Sequence, residues 1–167
     1  YFESNPRKVV EAGLACIPAE SSYAKLVSDL LAWSAQEPKD WRKVWQRVEE
    51  KWDKNDVCPD GVFRDFNIDA KLNGTYIAFG LLYGQGDWQQ TMEIATRCGQ
   101  DSDCNPSSAA GVLGAMIGYA KIPESYKPEL DKLADTKFDF TEYSFNDIVK
   151  STEARALKII QQAGGGA

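Results

Sequence analysis

Residues 97–123 read Arg-Cys-Gly-Gln-Asp-Ser-Asp-Cys-Asn-Pro-Ser-Ser-Ala-Ala-Gly-Val-Leu-Gly-Ala-Met-Ile-Gly-Tyr-Ala-Lys-Ile-Pro. A short polar loop carries Asp101 and Asp103, two residues apart, and gives way to a run without charge. Asn105 suits an N-cap and Pro106 the first helical position, where a missing N–H costs nothing, so the sequence predicts a helix starting there. Its body, residues 109–120, places Gly111, Gly114 and Gly118 on one face with Ser107. Glycine costs about 1 kcal/mol per helix position relative to alanine. The expectation is therefore a helix inside a packed core, with small residues admitting a neighbouring backbone.

Such a helix would hold two carboxylates at its positive end, where the dipole favours anions. Paired Asp oxygens are also what a hard cation such as Mg²⁺ or Ca²⁺ selects, which makes Asp101 and Asp103 candidate metal ligands. The plainer alternative is a pair of aspartates that cap a helix and face water. Asp101, Asp103 and Asn105 also match the first three ligand positions of an EF-hand loop. That loop needs Gly at its sixth position and Glu at its twelfth, where this chain has Pro106 and Val112.

A chain of 167 residues, 43% hydrophobic and 26% charged, has the composition of one globular domain. Its net charge is −6, and no dense Lys/Arg cluster occurs, which argues against a nucleic-acid backbone or an anionic membrane surface as partner. The absence of histidine removes the commonest general base and every Ser-His or Cys-His pair, leaving carboxylates and metal-bound water for any catalysis. No charge-free run reaches the roughly 20 residues of a membrane span, and the compartment, cytoplasmic or extracytoplasmic, is undecided. Cys16, Cys58, Cys98 and Cys104 form no CxxC pair; four free thiols are the simplest reading, with a Cys98–Cys104 or Cys16–Cys58 bridge left open.

Read in order, the chain is all-α. Apolar residues recur at helical spacing after Asn5-Pro6, again through Tyr23, Leu26, Val27, Leu30 and Leu31, and again through Trp41, Val44, Trp45, Val48 and Trp52. These tryptophans read as packing residues. Residues 54–66 form a Pro/Gly/Asp-rich loop, and Phe63, Phe66, Asn67 and Asp69 near it are candidates for a site wall. A mostly apolar helix over residues 69–83 follows. Next comes one opened by an Asp87/Gln90 capping box and closed by Gly99, which delivers the chain to the Asp101 loop. Past Pro123, residues 137–143 read as an extended loop laid on the core, and Ser144 with Asp147 opens the last helix.

With these residues in hand, Gly99-Gln-Asp-Ser-Asp-Cys-Asn, then Ala110-Gly-Val-Leu-Gly-Ala-Met-Ile-Gly, then Ile122-Pro123 resembles the C-terminal signature of the ADP-ribosylglycohydrolase family. The likeness extends to the helix ending near Ile17-Pro18 and to the Trp41–Val48 helix, and so spans most of the chain. It implies an all-α bundle that binds two Mg²⁺ ions and hydrolyses a glycosidic bond to small-molecule or protein-linked ADP-ribose. Asp101 and Asp103 would then be ligands of one carboxylate cluster, with Phe63, Asn67, Asp69 and Gly99 on the substrate side.

Two departures from the family pattern stand out. Cys104 replaces a Thr or Ser whose hydroxyl helps hold metal, and a thiol is a poor Mg²⁺ ligand. Three consequences are open: Asn105 substitutes as ligand, one metal binds instead of two, or the substrate differs. Nor does an Asp-Asp pair occur anywhere, although the family's other cluster is a Thr-Asp-Asp run on an earlier helix. The expectation is that those residues lie in a segment before Tyr1, so that residues 1–167 form one all-α domain that is the C-terminal part of a larger hydrolase and is inactive alone. The competing readings are a non-catalytic binding or scaffold domain and a hydrolase of another glycoside.

Overall fold

The computed structural model describes residues 3–53, 68–162 and 164. Among them are eight α-helices and no strand, as the periodicity predicts. The chain divides into two compact units, Tyr1–Ile122 and Pro123–Ala167.

The first unit holds α1 (Pro6–Leu14), α2 (Ser22–Gln36), α3 (Trp41–Val48), α4 (Ala70–Gly84), α5 (Trp88–Arg97) and α6 (Cys104–Ile117). Five of these helices begin on a side-chain cap. Asn5, Ser21, Asp40, Asp69 and Asp87 each accept from backbone N–H groups of the first turn, satisfying donors that no earlier carbonyl can reach. Helix α3 runs into a wider π-type turn over Glu49–Asp53. Trp41, Trp45 and Trp52 pack half-buried against the core, as expected.

The core is organised around α4, which packs against α1, α2, α5 and α6. Tyr76 and Phe79 are fully buried on it, beside Leu26 and Leu30 of α2 and Val44 and Val48 of α3. Gly80 and Gly84 let α5 come close. A Cβ at Gly80 would lie 2.6 Å from the Thr91 carbonyl oxygen, and one at Gly84 would lie 2.2 Å from Thr91 Oγ1 and 2.8 Å from its backbone nitrogen. This is the backbone approach that the sequence assigns to the glycines of α6.

The expectation for α6 is corrected in two ways. It starts at Cys104 and stops at Ile117, with Asp103 preceding it and Gly118 (φ +79°) ending it, so Asn105 and Pro106 lie inside its first turn. Its inner line is Asn105, Ala109 and Leu113, whereas Ser107, Ser108, Gly111 and Ala115 are exposed. Nothing lies within 4 Å of a Cβ built at Gly111. Cys16, Cys98 and Cys104 are free thiols, so the Cys98–Cys104 bridge is not formed, and Cys58 lies outside the described residues.

The second unit contains α7 (Pro128–Leu133) and α8 (Phe145–Gln162). The predicted capping box is complete. Ser144 N–H and Oγ donate to Asp147 Oδ2 at 2.9 and 2.8 Å, and Asp147 N–H donates back to Ser144 Oγ at 3.2 Å. The Lys137 ammonium, 2.5 Å from the same oxygen, is the largest influence holding the Asp147 carboxyl well below the usual carboxylate range. Residues 137–143 are pinned by an antiparallel bridge between Lys137 and Ser144, with Phe138 N–H donating to the Tyr143 carbonyl at 3.0 Å. No residue of α8 is buried.

Candidate functional site

The Asp101 loop is built from three directions. From α3, Trp45 Nε1 donates to the Cys98 carbonyl at 2.9 Å and fixes the end of α5. Gly99 and Gln100 then both take positive φ, +99° and +52°, which turns the chain sharply. From α4, the amide of Asn73 reaches up. Its Nδ2 donates to Gln100 Oε1 and to the Asp69 carbonyl, each at 2.8 Å, while its Oδ1 accepts from Asp101 N–H at 3.1 Å. From α6, Asn105 Nδ2 donates to the same Asn73 oxygen at 2.7 Å.

Asn73 and Asn105 are 7% and 2% exposed, so this is a buried polar hub whose amides must find partners and do so in one arrangement. Above it, Asp101 is half-buried and Asp103 and Cys104 are exposed. Their ligand atoms, one carboxylate oxygen from each Asp and the Cys104 sulfur, all lie within 4.8 Å of one another. Cys104 N–H also donates to Asp101 Oδ1 at 3.3 Å, which gives the first turn of α6 a partner although Asp103 provides none.

Negative charge is concentrated on this loop. Hydrogen bonding within the loop, with the Asp103 side chain first and then with the Cys104 side chain and N–H, holds the Asp101 carboxyl below the usual carboxylate range. The same bond to Asp101, with the negative charges of Asp101 and Asp103, pushes the Cys104 thiol up. Two carboxylates at a helix N-terminus, oxygens converging and solvent-facing, make a donor set that fits a divalent cation.

Of the residues singled out from sequence, Asp101 and Asp103 are brought together on this loop. Asn105 is turned inward beneath them, its amide nitrogen committed to Asn73. Gly99 makes the turn into the loop. Asp69 caps α4, accepting from Lys71 and Leu72 N–H at 2.7 and 3.0 Å, and its own N–H donates to Gln100 Oε1 at 3.2 Å, so it stands beside the loop's foundation. Phe63, Phe66 and Asn67 lie outside the described residues. Among the described residues, a hollow of about 440 Å³ lies beside Trp41, Arg42 and Tyr83, and one of about 350 Å³, mostly apolar, lies among α1, α2 and α4.

Sequence reasoning missed Asn73, Gln100 and Trp45. A signal existed for Asn73, a lone amide between the buried Leu72 and Tyr76 of an apolar helix, which has to be paired with something.

The family model described as ADP-ribosylglycohydrolase matches residues 3–157. Among curated proteins and among solved structures, nothing matches the chain. Among the described residues, no helix is long and apolar enough to cross a membrane.

Proposed function

Because the chain belongs to the ADP-ribosylglycohydrolase family, we propose that it serves the hydrolysis of an N- or O-glycosidic bond to ADP-ribose, with Asp101 and Asp103 holding a divalent cation, Mg²⁺ in the first instance. The observation that carries this reading is the convergence of Asp101, Asp103 and Cys104 ligand atoms on one exposed face of a loop anchored by two buried asparagines.

When bound, a divalent cation orients a ribose diol or polarises a water, work that needs no histidine. The chain's own contribution is preorganisation. Asn73 and Asn105 fix the loop from below, Gly99 and Gln100 set its turn, and the α6 N-terminus favours the negative charge gathered there. Asp69 is tied to the same Gln100 through its N–H, and its carboxylate caps α4.

The test is release of free ADP-ribose from arginine-linked and serine-linked conjugates by the full-length protein, followed by chromatography. Asp101→Ala and Asp103→Ala should each lower turnover by about 100-fold or more, since a bound metal ion supplies several kcal/mol to the transition state. The melting temperature should hold in Asp103→Ala, whose side chain is exposed, and fall slightly in Asp101→Ala, whose Oδ1 accepts from Cys104 N–H at the start of α6. Unchanged turnover in both variants would overturn the reading and favour a binding domain that keeps the helical core without the chemistry.

A further inference from the structure

The face shared by α3 and α5 gathers cationic and aromatic side chains in an otherwise acidic chain of net charge −6. Trp41, Arg42, Trp45, Gln46 and Arg97 line a hollow of about 280 Å³ there, and none of the five is acidic. Trp45 is locked in place by its indole N–H on the Cys98 carbonyl, and the Arg42 guanidinium carbon lies 4.6 Å from the centre of the Trp41 ring. Arg42 has no carboxylate partner among the described residues. Arg97 gives its Nε to Glu93 Oε1 at 2.7 Å, and its two terminal nitrogens have no partner among those residues. We propose that this face binds a purine nucleoside diphosphate such as ADP without a metal ion, its phosphates between Arg42 and Arg97. Asp101 and Asp103 take no part in it, so this site does not depend on the cation reading above.

The chemistry follows from the side chains. A guanidinium fork meets phosphate oxygens two at a time and stays charged at any physiological pH. Two such forks on one hollow suit a diphosphate better than a single carboxylate. An arginine held against an indole ring by cation–π attraction is ordered before a ligand arrives, so less freedom is lost on binding. The base also has a place. The hollow of about 440 Å³ shares Trp41 and Arg42 with the smaller one and adds Tyr83, Gln85 and Gln90 to its lining. Aromatic rings accept a stacked base, and glutamine amides offer both donors and acceptors to its edge. Among the described residues lining that larger hollow, Glu93 alone is acidic, and it is already bonded to Arg97.

Calorimetry on the full-length protein in EDTA measures the binding of ADP, adenosine and inorganic pyrophosphate. Native protein is compared with Arg42→Gln, Arg42→Lys and Arg97→Gln after matched circular dichroism. ADP should bind the native protein more tightly than either adenosine or pyrophosphate. Its affinity should fall about 10-fold or more in Arg42→Gln and in Arg97→Gln, the loss expected when one charge-assisted hydrogen bond is removed. Arg42→Lys should recover only part of that loss, since an ammonium keeps the charge without the fork. ADP that fails to bind, or that binds both Gln variants as well as the native protein, overturns the site. Binding that appears only on adding Mg²⁺ places the nucleotide at the Asp101 loop and overturns it equally. Pyrophosphate that binds as tightly as ADP removes the base, and the nucleotide with it. A glutamate-rich peptide that binds the native protein and weakens in the arginine variants, where ADP does not bind, gives the face to a protein partner instead.

Discussion

Helices α4 and α6 are built from similar material: each is largely apolar, carries no charge in its central turns, and contains glycine. Yet from Leu72 to Gly84 no residue of α4 is exposed, while α6 leaves Ser107, Ser108, Gly111 and Ala115 in the open. The difference lies in what stands opposite. Gly80 and Gly84, four apart, face Thr91 and Ala95, also four apart, and the α5 backbone occupies the space where their side chains would be. Across from Gly111 there is nothing within 4 Å. A glycine in a helix thus marks close approach only when a partner with matching spacing is present, and composition alone does not say which helix has one.

The largest expected effect breaks the comparison at its centre. Phe79→Ala removes a fully buried ring from α4 and should cost about 3–5 kcal/mol. Met116→Ala trims a half-exposed side chain of α6 and should cost about 1 kcal/mol or less. Urea melts of both variants decide it: equal losses would mean that α6 is as central as α4.

Next in size is Gly84→Ala. The added methyl would meet Thr91 backbone atoms at 2.7 and 2.8 Å, and backbone cannot rotate aside, so the α4–α5 pair must separate. Overpacking of this kind costs about 1–3 kcal/mol, more than alanine's helical advantage returns at the last position of the helix. A gain in thermal stability would show that α5 is not seated where described.

Tyr83, also on α4, gives a smaller and pH-dependent effect. Its hydroxyl donates to the Glu37 carbonyl at 3.0 Å, and burial, then the charges of Asp40 and Glu37, push its pKa up from 10.0 to about 12. A tyrosine whose folded pKa is raised stabilises the fold fully below pH 10 and loses that contribution as pH climbs toward about 12. Tyr83→Phe should therefore cost about 1 kcal/mol near neutrality, the worth of one hydrogen bond, and flatten the alkaline decline of stability between those limits. A decline identical to that of the parent protein would assign the alkaline loss to other groups.

How much of this was legible in the sequence depends on range. Helix existence was, and so were the caps at Asp87 and at the Ser144/Asp147 pair, which act within four residues of themselves. The Asp101/Asp103 pair was legible for the same reason. The start of α6 was not, because Asn105 suits a cap locally but is drawn inward by Asn73, 32 residues away along the chain.

The smallest effect is the one that sharpens the comparison most. Gly111 sits in mid-helix with an ordinary helical backbone and open space before it, so neither strain nor crowding opposes a side chain. Gly111→Ala should then stabilise the protein by about 0.4–1 kcal/mol, by lowering the entropy of the unfolded chain and improving helix propensity. The sign carries the information, because Gly84→Ala is expected to go the other way in a helix of the same character. If Gly111→Ala instead destabilises in thermal melts, a surface in solution must press on α6 as closely as α5 presses on α4. If stability rises but ADP-ribose release falls, the open face is where substrate passes, and the glycine serves access to the Asp101 loop rather than packing.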